Sequence, residues 1–385
     1  MYKRQSMAFK DLHKLKKIAV VEKESITTPF LVVGKDIFAL SLYNDLKKAH
    51  GDDKVRLLSQ DAILRSDLLP KGPSTIRGEV NKRFFNETFP DIARTETTEN
   101  ALFYKDMTWK SFGGRSKSEV LKYDEEFYTG GQITPDYEQI FKNIPHSDEY
   151  LEGINKEAYQ VKIKSIKREN EGFIVECING TEFHCEFLYF GLSPYHYMEF
   201  YSEKSEFSDR FMEFCETTKT SSALFVKFVF DKTPLSDMKE TLFIPLSYTH
   251  DWGHFVGEFR ASKDGQEIEF MHFMEDHLMS EEDVSRIIRL LKKSMEKIFD
   301  NFLKIKSHEY IALEQEIGCL KIDDELFAKS LESGKNEMKN LFFIGVNAPV
   351  TSEQCANYTF EYSKKDLNGV MRALVIQSNH TKKFD

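Results

Sequence analysis

The chain has 385 residues, 41% of them apolar and 13% aromatic, including 33 Phe and 16 Tyr. That composition supports a large core in two domains or one big unit with an insertion, and excludes disorder over most of the length. Lys and Arg number 53 against 63 Asp and Glu, and the net charge of −10 opposes nonspecific binding to nucleic acid or an anionic membrane.

Residues 1–28 read as a charged arm, basic over its first 17 residues, with one short strand at Ile18–Val21 and no apolar signal core behind it. Phe30-Leu31-Val32-Val33 is an apolar run that stops at Gly34, the type of a fully buried strand in a parallel sheet. From Ile37 to about Ala49 the spacing turns helical, with Ala39, Leu42, Tyr43 and Leu46 on one side. His50-Gly51-Asp52-Asp53 is a turn and Val55–Leu58 a second strand, which completes a βαβ unit. Prolines and glycine pairs between about 62 and 150, among them Gly113-Gly114 and Gly130-Gly131, predict loops and short elements facing a substrate. β patterning then covers 159–193, with a hairpin turn at Asn179-Gly180 and an apolar strand at Phe187–Leu192 that ends at Ser193-Pro194. Further strands are predicted at Ala223–Phe230, Leu242–Leu246, Phe255–Phe259 and Glu267–Phe273. A helix starts at Ser280, with Asp283 at N3 and Val284, Ile287, Ile288, Leu291, Met295 and Ile298 along one face. Asn340–Gly345 reads as a buried strand ending in glycine, before a closing helix at about Glu353–Val375.

A strand that ends in glycine and opens a helix gathers backbone N–H groups and the positive end of the helix dipole where a dinucleotide's pyrophosphate is held. The usual fingerprint is G-x-G-x-x-G/A. Here the six residues are Gly34-Lys35-Asp36-Ile37-Phe38-Ala39: the first glycine and the last small residue are present, and the middle glycine is Asp36. An aspartate suits a helix cap but opposes a diphosphate, since like charges about 4 Å apart cost roughly 4 kcal/mol at an effective dielectric near 20. The second strand ends in Ser59-Gln60 where a carboxylate for the ribose hydroxyls is expected.

Three blocks, FLVVGKDIFALSLYNDL with KVRLLSQD, VKIKSIKRENEGFIVECINGTEFHCEFLYFGLSP, and NLFFIGV, stand in an order that resembles the flavin amine oxidase and protoporphyrinogen oxidase superfamily. The resemblance implies an α/β fold: a Rossmann-type FAD/NAD(P)-binding domain from 1–75, 155–195 and 330–385, interleaved with a mixed β-sheet and helix substrate domain from 76–154 and 196–329. It implies FAD as cofactor and a small-molecule substrate. Carried over by position, Gly34 faces the pyrophosphate, Ser59 stands at the ribose acid, Ile163 offers its backbone to the adenine, and Gly345 and Val346 take the Gly-Asp pair near the ribityl phosphate. Ser59, Val346 and Asp36 depart from the family pattern, and Gly113-Gly114-Arg115 lies too late to serve as the family's Gly-Gly-Arg. Two outcomes stay open. FAD binds through a rearranged set with Lys35 and Asn347 as replacements, or the scaffold has lost it and serves as a cofactor-free protein- or ligand-binding module, as in the GDP dissociation inhibitors.

The remaining signals are weaker. Cys177, Cys185, Cys215, Cys319 and Cys355 form no C-x-x-C and suit free thiols in a reducing compartment, so the cytoplasm is the expected location. Cys355 near the closing helix reads as a buried structural cysteine before a reactive one. No run of about 18 uncharged apolar residues exists to span a bilayer. His250 and His254, with His272, Glu275, Asp276 and His277, read as solvated loop side chains rather than a metal site. No catalytic acid, base or nucleophile can be named. If the pocket is otherwise intact, Asp36→Gly strengthens FAD binding in a titration; an unchanged affinity would show that other residues close it.

Overall fold

The computed structural model describes residues 24–35, 37–60, 75–77, 82–83, 85–86, 90–112, 130–136, 139, 148–247, 253–262, 265–274, 280–319, 324–331 and 339–344. Ile18–Val21, Asp36, Gly113-Gly114-Arg115, His250, Glu275, Asp276, His277, Gly345-Val346-Asn347, Cys355 and the expected closing helix lie outside these residues.

In chain order the first strands are β1 (Ser25–Val33), β2 (Val55–Ser59), β3 (Ile76–Arg77), β4 (Arg94–Thr97), β5 (Leu102–Lys105), β6 (Thr108–Ser111) and β7 (Gln132–Pro135). They continue as β8 (Tyr159–Gln160), β9 (Ile163–Glu169), β10 (Gly172–Cys177), β11 (Glu182–Phe190) and β12 (Thr220–Phe230). The last are β13 (Leu242–Pro245), β14 (His254–Ser262), β15 (Gly265–Met274), β16 (His308–Cys319) and β17 (Leu341–Phe343). The described helices are α1 (Ile37–His50), α2 (Asp148–Glu157), α3 (Pro194–Phe200), α4 (Asp209–Thr217), α5 (Glu281–Ile298), α6 (Phe302–Ile305) and α7 (Asp324–Leu331).

The first sheet runs β8-β2-β1-β11-β10-β9, with β17 beside the far end of β11. Its β8, β2, β1, β11 and β17 neighbours pair in parallel, whereas β9, β10 and β11 are antiparallel. β8 and β9 stand at opposite ends of this order although only Val161 and Lys162 separate them. Five strand spacings of about 4.8 Å come to roughly 24 Å, while three residues of chain reach at most about 11 Å. The sheet is therefore not flat: the β9–β10 hairpin rolls back over one face of the parallel strands. Side-chain alternation agrees with this. Leu31, Val33 and Leu58 share a core with Ile163, Ile166, Phe173 and Val175 of the hairpin. Phe30 and Val32, on the other face of β1, pack on Ala39, Leu42, Tyr43 and Leu46 of α1 and on Ile154 of α2. Rings from α3, α4 and α7 (Tyr197, Phe211, Phe214, Phe327) complete the hairpin-side core.

Local chemistry explains the turns. Gly180 has φ 90°, and the Asn179 side chain accepts the Thr181 N–H at 3.1 Å. Ser193 caps α3, with Pro194 in its first turn, so Ser193-Pro194 begins a helix as well as ending a strand segment.

The second large sheet runs β16-β12-β15-β14-β13-β5-β6. Leu224, Val226 and Phe228 of β12 and Ile268 and Phe270 of β15 face α5, whose Ile287, Ile288, Leu291 and Met295 fill that core. Ser280 caps α5: its Oγ accepts the Asp283 N–H at 3.1 Å and donates to Asp283 Oδ2 at 2.5 Å. A small sheet β3-β7-β4 packs nearby, where Gln132 Nε2 donates to the Lys239 carbonyl at 3.2 Å. Among the described residues no helix is long and apolar enough to cross a membrane.

β16 has no counterpart among the sequence expectations. It is tied to α5 by Glu309, which receives the Lys292 ammonium and, at 2.6 Å, the Lys306 ammonium. Burial pushes the Glu309 carboxyl up, and the hydrogen bonds from the two lysines outweigh it, leaving Glu309 below its ordinary value. A folded value below the unfolded one, about 4.3, gives stability that is complete above that pH and lost as pH falls through the folded value. Glu309→Gln is expected to lower stability at pH 7 by about 0.5–1 kcal/mol in urea unfolding. The two proteins' midpoints should converge below about pH 3.

Candidate functional site

The parallel strands of the first sheet end along one edge, and each end is tied to the next by one further backbone bond. The Gly34 N–H donates to the Leu58 carbonyl at 3.0 Å, the Gly191 N–H to the Val33 carbonyl at 2.7 Å, and the Ile344 N–H to the Phe190 carbonyl at 3.1 Å. From β1 the chain crosses to β2 on one side, while β11 and β17 lie on the other. β1 is thus the switch point of the strand order, and a ligand of an open α/β sheet lies outside the carboxyl ends at such a point.

The two strand ends that meet there, after β1 and after β11, are both glycines. Gly34 is buried at φ 150°, and a Cβ on it would lie 2.8 Å from the Ala39 Cβ and 3.5 Å from the Gly191 Cα. A Cβ on Gly191 would lie 2.6 Å from the Val33 carbonyl oxygen that its own N–H binds. Gly34 and Ala39 hence let α1 fold back hard against β1, which is the packing role of the first and last positions of the fingerprint. Gly191 is the second bare backbone. It follows the apolar stretch Phe187–Phe190 as Gly34 follows Phe30–Val33, and that parallel is the sequence signal by which it could have been found.

The remaining expected residues fall as follows. Lys35 is exposed, directly beyond Gly34. Ser59, at the end of β2, is fully buried, and its carbonyl accepts the Val161 N–H at 3.0 Å. Ile163 is 4% exposed at the start of β9, and its N–H donates to Gln60 Oε1 at 3.2 Å. Gly34, Lys35 and Ala39 therefore come together at one strand end, with Ser59 at the next; Ile163 comes beside the end of β2 because the sheet rolls. β17, which leads toward Gly345, Val346 and Asn347, runs beside β11 in the register Leu341↔Leu188 and ends at the same edge. The residues present fit the diphosphate portion of a dinucleotide: two adjacent strand ends without side chains, beside a helix N-terminus and an exposed lysine. Beyond the end of β2, the chain satisfies its own backbone donor at Ile163.

On the face away from α5 the second sheet carries a pair of buried carboxylates. Glu258 and Glu269 stand directly opposite each other on β14 and β15, 4% and 1% exposed. Glu258 accepts from the Thr75 hydroxyl and from the Thr241 hydroxyl at 2.7 Å. Glu269 lies 3.2 Å from Lys227 Nζ and 3.9 Å from Arg260 Nη1. Adjacent carboxylates repel, and these donors offset that repulsion. Nothing in the local sequence marks the pair, because the register of two distant strands creates it.

One expectation about side chains needs correcting. His254 and His272 are not solvated loop residues: both are in strands, His254 stacks on Phe243 at 3.9 Å, and His272 is 3% exposed with Nδ1 2.8 Å from the His254 carbonyl. The alternation of apolar and polar residues along β14 and β15 puts them there. Among the described residues no group of three or more His, Cys, Asp or Glu is placed to hold a metal. Burial, with Glu176 beside it, pushes the Cys177 thiol up to about 12, and burial raises Cys185 as well, so neither is a nucleophile at neutral pH. The Ser193 hydroxyl lies 2.8 Å from His196 Nδ1, but it is spent on capping α3.

No protein-family model matches the chain, and no curated protein does. Solved structures share its fold. An oxidoreductase from Methanosarcina mazei is 12% identical, with a TM-score of 0.53, and the match covers 91% of this chain and 100% of that one. Putrescine oxidase bound to putrescine matches at 7% identity and a TM-score of 0.51, over 93% of this chain and 100% of its own. Cyclohexylamine oxidase from Brevibacterium oxydans matches at 9% and 0.53, over 92% and 99%. At these identities the likeness is one of fold.

The bare strand ends make a stability test. Gly34→Ala and Gly191→Ala each force a Cβ inside 3.0 Å of a neighbour and are expected to cost about 1–3 kcal/mol. Gly153→Ala in α2, where a Cβ meets nothing within 4 Å, should instead stabilise by about 0.5–1 kcal/mol in the same denaturant titration.

Proposed function

We propose that the chain is an FAD-dependent oxidoreductase of the amine-oxidase type, acting on a small organic molecule, with the cofactor's diphosphate at the junction of Gly34 and Gly191. The observation that carries this reading is the pair of side-chain-free strand ends at the switch point of the sheet. The fold shared with amine oxidases over more than nine-tenths of the chain supports it.

In this reading 1–75, 155–195 and 330–385 form the Rossmann-type unit, and 76–154 and 196–329 supply the substrate side. Gly34 and Gly191 keep side chains out of the junction, Ala39 seats α1, and the exposed Lys35 ammonium balances phosphate charge that Asp36 opposes. Gly345, Val346 and Asn347 follow β17 in the sequence. FAD, when bound, supplies the hydride chemistry. The protein positions the substrate and excludes water.

A second reading, a cofactor-free binding module, is favoured by the nucleoside end, where Ser59 is buried and Gln60 holds the Ile163 amide. Absorbance separates the two. The enzyme reading predicts yellow protein with a band at about 450 nm that is released on denaturation, or colourless protein that acquires the band with added FAD. Protein that stays colourless with excess FAD contradicts it and leaves the binding module.

A further inference from the structure

Gln60 directly follows β2, at the place where the ribose of a dinucleotide meets the sheet. The residue before it, Ser59, is turned wholly inward, and its carbonyl is taken by Val161. Gln60 instead reaches across the rolled sheet, and its carboxamide oxygen accepts the Ile163 N–H. The Ile163 side chain belongs to the hydrophobic core, so the backbone is the only polar surface this residue can offer to a ligand. A part-buried N–H left without an acceptor is costly. A nucleoside entering between the end of β2 and the start of β9 has to displace the Gln60 oxygen and bring an acceptor of its own.

We propose that Gln60 is a latch on the nucleoside end of the site: it holds that end closed in the free protein and sets the affinity for adenine-bearing nucleotides. The proposal rests on the dinucleotide reading and deepens it. Gln60 touches neither the diphosphate junction nor any group assigned to chemistry, so its effect is confined to ligands that carry a nucleoside.

The test titrates ADP, FAD and riboflavin 5′-phosphate into the full-length wild type, Gln60→Ala and Gln60→Glu by calorimetry, with amide hydrogen exchange of Ile163 followed in the free proteins. Gln60→Ala removes the competing acceptor and is expected to tighten ADP and FAD about threefold to tenfold, the worth of one hydrogen bond. Riboflavin 5′-phosphate, which lacks adenosine, should change less than about twofold on that scale. Gln60→Glu keeps an acceptor on Ile163 and is expected to bind ADP no better than the wild type. Exchange at Ile163 should quicken in Gln60→Ala and not in Gln60→Glu. An ADP and FAD affinity unchanged by Gln60→Ala, or an equal gain for riboflavin 5′-phosphate, overturns the latch while leaving the dinucleotide site standing. If none of the three ligands binds any of the proteins, the dinucleotide reading fails and the latch falls with it.

Discussion

Two backbones approach at the carboxyl ends of β1 and β11 until nothing larger than a glycine fits at either, and the first sheet is arranged around that approach. The Gly191 N–H reaches the Val33 carbonyl only because no side chain separates the two strand ends. The same absence at Gly34 lets Ala39 bring α1 down onto β1. With those positions fixed, the parallel register carries β2 and β17 to the same edge, where several strand ends come together. The strand pairing and the seating of α1 draw on the same feature, so a change that fills the junction acts on both.

The roll of the first sheet follows from a short link. Two residues between β8 and β9 cannot cross a flat sheet of that width, so the hairpin folds over the face that carries Leu31, Val33 and Leu58. This fold-over puts the start of β9 beside the end of β2 and creates the Gln60–Ile163 bond. Secondary structure alone does not reveal such a contact, since its partners are 103 residues apart.

What was legible in the sequence was what depends on near neighbours. The apolar run before Gly34, the helical spacing after it, the Asn179-Gly180 turn and the Ser280 cap all state their conformation within a few residues, and each appears in the structure. β16 was not legible because its described residues mix apolar and charged side chains, leaving Ile311 and Leu313 partly exposed on a sheet-edge strand. α3 hid behind Ser193-Pro194, a pair that ends strands and caps helices equally well. Gly34, Lys35 and Ala39 were legible in the site because the fingerprint is a local turn. Gly191 repeats that signal, an apolar run closed by glycine, whereas the Gln60–Ile163 contact and the Glu258–Glu269 pair owe their positions to long-range packing and strand register and could not be assigned from spacing. The matched structures show the same effect at larger scale: at 12% identity and below the backbone arrangement is shared.

The most direct measurement is a crystal structure of the protein grown with saturating FAD. The account predicts density for a diphosphate against the bare backbone of Gly34 and Gly191, with Gln60 turned away from Ile163. Strand ends without ligand density, and Gln60 still bonded to the Ile163 amide, would contradict it.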